Sequence, residues 1–120
     1  MYHGVIHKGT VGGVTLVALS GELDIAVAHE VGAALTSAAK ALLPDVAIDF
    51  RQVEFIDASV MGVLSGAYRR ITAAGGCLRV IGLQQGPRRV LAICQLDGVM
   101  CFHDSVTAAT KATCTRHSRP

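Results

Sequence analysis

Val53-Glu54-Phe55-Ile56-Asp57-Ala58-Ser59-Val60-Met61-Gly62-Val63-Leu64 carries a buried strand pattern straight into a helical one, with a serine at the junction. A hydroxyl there is presented to solvent on a rigid element, beside amide N–H groups that tolerate negative charge. Phosphorylating it adds about −1.5 to −2 charges to that surface. The stretch therefore decides the fold and also marks a possible switch.

On its carboxyl side, Ser59 to Ala73 reads as a helix whose core stripe is Val60, Val63, Leu64, Ala67 and Ile71. Ser59, Gly62, Gly66, Arg69 and Arg70 lie opposite, and Gly75-Gly76 ends it. Leu78-Arg79-Val80-Ile81 is the next strand, and Gly86-Pro87 opens a third helix buried through Val90, Leu91, Cys94 and Leu96. Val99-Met100-Cys101-Phe102 is a short strand. Asp104-Ser105 caps a last helix to about Ala112, and Thr113 to Pro120 reads as a loose tail.

On the amino side, Val46-Ala47-Ile48-Asp49-Phe50 is apolar on both faces, as in a helix-covered sheet. Before it, from Ala26, Val27, Val31, Ala34, Leu35, Ala38 and Leu42 share one helical face. Asp24 is placed to cap this helix and Pro44 to end it. Val5-Ile6-His7 and Val14 to Leu19 form a hairpin around Gly9–Gly13, and Gly21-Glu22-Leu23-Asp24 breaks the strand pattern. The order β-β-α-β-α-β-α-β-α implies one α/β domain, its central mixed sheet of about five strands packed against about four α-helices. The domain is expected to span residues 1–120, with its core at about 5–112 and the tail at 113–120.

The 120 residues are 51% hydrophobic but only 4% aromatic, without Trp, so the core must be aliphatic. A formal charge of +2, with no basic run and no stacking aromatics, argues against nucleic acid. No apolar run approaches the ~20 residues of a membrane span, and Met1-Tyr2-His3-Gly4 lacks the charged-then-apolar order of a signal peptide. A cytoplasmic protein without direct membrane insertion is expected. In that compartment Cys77, Cys94, Cys101 and Cys114 should be reduced.

Catalytic and metal motifs are scarce. Cys101-Phe102-His103 and Cys114-Thr115-Arg116-His117 are single pairs, whereas a closed zinc site takes four ligands. No phosphate-binding loop and no nucleophile elbow are present. Neither a metal, a cofactor nor an enzymatic activity is expected.

With these segments in order, the chain resembles the STAS domain family of bacterial anti-sigma factor antagonists. Leu19-Ser20-Gly21-Glu22-Leu23-Asp24 is similar to the family's L-x-G-E-L-D, and Asp57-Ala58-Ser59-Val60-Met61-Gly62 stands where it has D-S-S-G-L-G. Gly75-Gly76-Cys77-Leu78 and Arg89-Val90-Leu91…Leu96-Asp97 are similar to its later segments. The resemblance covers roughly residues 5 to 112. It implies an antagonist that binds a histidine-kinase-like anti-sigma factor, frees a sigma factor, and is released when that kinase phosphorylates Ser59; a phosphatase restores it. Ala58 replaces the family's first serine and Val60 its glycine. Val60 shares the stripe of Val63 and Ile71, which turns it to the core and leaves Ser59 open.

Each site residue also has a plainer role. Ser59 and Asp57 serve equally as helix caps, or Asp57 orients the hydroxyl. Asp24 is a cap or a partner contact, its loop placed beside that of Ser59 by the resemblance. Gly62 and Gly66 form either a smooth groove for a partner helix or an exposed face of no consequence. Arg69, Arg70, Arg88 and Arg89 are a solvated surface and reserve contacts. The expected partner-binding set is Asp24, Asp57, Ala58, Ser59, Gly62 and Gly66. Two other readings stay open: an unmodified scaffold subunit, stressosome-like or transporter-associated, and a module sensing nucleotides or other small molecules.

Overall fold

The computed structural model describes residues 2–93 and 100–112. The expectations for Cys94, Leu96, Val99 and the tail at 113–120 lie outside these residues. Five strands, β1 (Gly4–Val11), β2 (Val14–Leu23), β3 (Asp45–Ile56), β4 (Cys77–Ile81) and β5 (Cys101–His103), form one sheet in that spatial order. β1 pairs antiparallel with β2, and every later pair is parallel. Helices α1 (Ile25–Ala38), α2 (Ala58–Ala73) and α3 (Gln85–Ile93) connect the parallel strands, and α4 (Val106–Lys111) follows β5.

Strand alternation splits the core in two. Val46, Ile48 and Phe50 of β3 pack with Val17, Leu19, Leu35, Leu64 and Leu91 under α1, α2 and α3. Ala47, between them, points to the opposite face and packs with Leu16, Ile81 and Ala109 of α4. Arg79, only 4% exposed, clamps that second layer. Its Nε and Nη2 donate to Asp45 Oδ1 and Oδ2 at 2.8 and 3.0 Å, while Nη1 donates to the carbonyls of Ala109 and Ala112. These carbonyls end α4 and have no partner within the helix, so the guanidinium serves as its cap.

Several boundaries differ from expectation. The hairpin turn is only Gly12-Gly13, joining Val11 to Val14. Both glycines have positive φ, 56° and 82°, matching the twist of a two-residue hairpin, so β1 continues to Val11. Gly21-Glu22-Leu23 does not break β2; the register with β3 shifts there and pairing resumes through Leu23–Ile56. α1 stops at Ala38, so Leu42 leaves the helical face and is 93% exposed. Pro44 disfavours helix at the residue before it, and Leu43 takes φ 50°. In α2 the buried fifth residue is Met61, while Val63 is half-buried against α1. β5 is displaced to Cys101–His103. Cys77 is disulfide-bonded, so the expectation of reduced thiols fails at that position.

Candidate functional site

β3 delivers Ile56 to the core and ends; Asp57 then caps α2, with Ala58 as its first residue and Ser59 as its second. A single carboxylate oxygen organises the turn. Asp57 Oδ1 accepts from the amides of Ser59 at 2.9 Å and Val60 at 3.4 Å, and from the Ser59 hydroxyl. Asp57 is therefore both cap and orienter. The Ser59 hydroxyl, with the amides of Ser59, Val60 and Ile25, holds its carboxyl below the usual carboxylate range.

Asp24 caps α1 in the same manner, accepting from the Ala26 amide at 3.0 Å. The two loops are joined directly, because the Asp57 amide donates to the Leu23 carbonyl at 3.0 Å. The shifted register at Gly21 makes this contact possible. Gly21 has φ 80°, and a Cβ there would lie 2.2 Å from the His3 ring. His3 Nδ1 in turn accepts from the Glu22 amide at 2.8 Å, tying the amino terminus across the end of β2.

Val60 is fully buried, so the β-branched side chain beside Ser59 faces the core. Ser59 itself is half-exposed and Ala58 exposed. Gly62 is exposed with open space where a Cβ would stand; at Gly66 a Cβ would meet only Arg70 Nη1, at 3.7 Å. Asp24, Asp57, Ala58 and Ser59 thus converge at one end of the sheet, and Gly62 and Gly66 continue down α2 from it. Two apolar residues not anticipated stand at this end: Ile25, 76% exposed, and Phe55, 48% exposed. Ile25 directly follows a capping aspartate and Phe55 precedes a buried strand end, a pattern that in sequence reads as core. Arg88 is not simply solvated, since its guanidinium lies 4.8 Å from the Phe102 ring centre.

Among the described residues no three His, Cys, Asp or Glu side chains are grouped to hold a metal. No described helix is long and apolar enough to cross a membrane. What the site can do is present one oriented hydroxyl, with an ionised carboxylate behind it, on a surface open to a second macromolecule.

The strand order and the Asp57-capped turn that carries Ser59 at the start of the second crossover helix define one α/β domain with a mixed five-stranded sheet. The chain belongs to the STAS domain family, whose model matches residues 6–109. It is 30% identical over 101 residues to an anti-sigma F factor antagonist of Paenibacillus polymyxa, covering 82% of this chain and 86% of that one. It shares its fold with an anti-sigma-factor antagonist (STAS) domain protein of Planctomyces limnophilus, with TM-score 0.80, 19% identity, and coverage of 89% and 95%. The Bacillus cell fate determinant SpoIIAA in its phosphorylated form is a further neighbour, with TM-score 0.68, 20% identity, and coverage of 86% and 94%. These relatives are named as antagonists and determinants, not as enzymes.

Proposed function

We propose that this protein is an anti-sigma factor antagonist. It binds a histidine-kinase-like anti-sigma factor through the Ser59 end of α2, and phosphorylation of Ser59 releases it. The observation that carries this reading is the half-exposed Ser59 hydroxyl, held by Asp57 on a rigid helix start while Val60 turns inward. The Paenibacillus relative bears the antagonist's name, and the fold is shared with a Bacillus protein known in a phosphorylated form.

The covalent step is an in-line transfer. Ser59 Oγ attacks the γ-phosphorus of ATP bound to the partner, the Oγ–P bond forms as the bond to the ADP leaving group breaks, and the hydroxyl proton passes along its hydrogen bond to Asp57 Oδ1 and on to solvent. Asp57 accepts that proton's hydrogen bond in the resting state, which fixes the direction of the oxygen's lone pairs.

On this reading, modification expels the partner for an electrostatic reason. The Ser59 and Val60 amides already serve Asp57 Oδ1, so a phosphate that takes them must displace a carboxylate. The dianion must project outward, into whatever covers Ser59. Desolvating it, or meeting like charge, needs to cost only ~3 kcal/mol to weaken binding more than a hundredfold. Asp24, Ala58, Gly62 and Gly66 are the surrounding contacts, and dephosphorylation by a phosphatase resets the cycle.

The test is binding to histidine-kinase-like anti-sigma factors encoded in the same genome. Ser59→Ala should bind as tightly as the natural protein, and Ser59→Glu at least tenfold more weakly. Equal affinities for the two variants would eliminate the charge switch and leave an unmodified scaffold.

A further inference from the structure

A groove of about 540 Å³ runs along α1 beside α2. Ala28, Gly32, Ala33 and Val63 give it small apolar lining, with His29 beside them. At Gly32 a Cβ would sit 3.5 Å from Val63 Cγ1, an ordinary van der Waals contact, so Gly32 leaves room beside Val63. Val63 lies one helical turn beyond Ser59 on the same face, and the groove therefore leads away from the serine.

Its far end is lined by Thr36, Ser37 and Lys40. Two further cations reach this end from other elements. Arg70 of α2 donates through Nη2 to Thr36 Oγ1 at 3.1 Å, and Lys8 of β1 donates through Nζ to Ser37 Oγ at 2.8 Å. No carboxylate lines the groove. Among the described residues the ion pairs are Arg51–Asp49 and Arg79–Asp45, so Lys40, which lines the groove, and Lys8 and Arg70, which bond to two of its lining residues, have no neutralising anion.

We infer that this groove seats an acidic amphipathic helix from a protein partner. One face of the occupant carries small apolar side chains against Ala28, Gly32, Ala33 and Val63. Its Asp or Glu residues face Lys8, Lys40 and Arg70. A helix is the occupant because the groove runs along α1, with Val63 of α2 at its side, and the floor lacks bulk, which permits the 8–10 Å axial approach of packed helices. The three uncompensated cations select against a basic segment. Acidic residues concentrate stably in the first turn of a helix, so the occupant's N-terminus lies at the Lys40 end and its C-terminus towards Ser59. This assignment holds whether or not Ser59 is phosphorylated.

The experiment titrates the isotope-labelled full chain with two synthetic helical peptides of about five turns. Both carry an Ala/Leu stripe; one is flanked by Glu and its twin by Lys. The Glu peptide should shift the amide signals of Ala28, Gly32, Ala33, Thr36 and Val63. Lys40→Glu combined with Arg70→Glu should weaken it about tenfold and make the Lys twin the better ligand. Ala33→Tyr, at an exposed position on the floor, should also weaken it at unchanged Tm. Shifts located elsewhere, absent shifts, or equal binding of the two peptides would overturn the assignment.

Discussion

The hydroxyl of Ser59 and its own amide both donate to one oxygen, Asp57 Oδ1. The residue that would receive a phosphate is thus also a donor that keeps its neighbour ionised. Phosphorylation removes one of those donors and sets a dianion beside the carboxylate.

The Asp57 pKa should therefore rise on phosphorylation, or in Ser59→Glu, relative to the unmodified protein. In the unmodified protein the lowered pKa contributes stability above the unfolded-state value, which is lost as pH falls through the folded-state value. That acid-side contribution should shrink in the modified protein. Carboxyl carbon NMR titration of Asp57 reads the shift directly; an unchanged pKa would mean that the phosphate does not sense Asp57.

Val60, next to Ser59, is fully buried. Val60→Gly removes core contacts and puts a glycine in the first turn of α2, for a loss of roughly 2–4 kcal/mol in denaturant unfolding. Phosphorylation at Ser59 should persist in whatever fraction remains folded, since Val60 does not shield the hydroxyl.

Arg79→Met leaves Asp45 without its partner and two α4 carbonyls without a donor. A loss of roughly 2–4 kcal/mol is expected. Hydrogen exchange should speed up first in α4 and only later in α1 and α2, because α4 packs in its own cluster. Uniform acceleration would show that the second layer is not separable.

Burial, and secondarily the Arg79 charge, lowers the pKa of His103, against a smaller opposing effect of Asp104. Its buried Nε2 has no partner among the described residues. A depressed imidazole pKa means that the unfolded chain takes up the proton first. Stability should then be complete above the ordinary imidazole value and fall as pH drops through the window below it. Unfolding measured between pH ~8 and ~5 checks this against His103→Leu, which should lack that decline.

The fold was readable because its strands are short apolar runs separated by helices with clean stripes. Val46–Phe50 and Leu64/Ala67/Ile71 announce the sheet and the helix covering it. The order of the Asp24 and Ser59 segments placed the site. What local pattern could not express was tertiary pairing. β2 continues through Gly21 because β3 supplies a shifted register, and α1 ends before Leu42 because Pro44 and the Pro44–Cys77 backbone bond redirect the chain. Lys8, Lys40 and Arg70 come from β1, the turn after α1 and α2, so their relation to one groove is visible only in three dimensions.

The most direct measurement is intact-mass and peptide mass spectrometry after incubation with ATP and a histidine-kinase-like anti-sigma factor of the same genome. The account predicts the mass of one phosphate, on the peptide containing Ser59 and absent from Ser59→Ala. A stable complex that leaves Ser59 unmodified, or a phosphate at another residue, would contradict it.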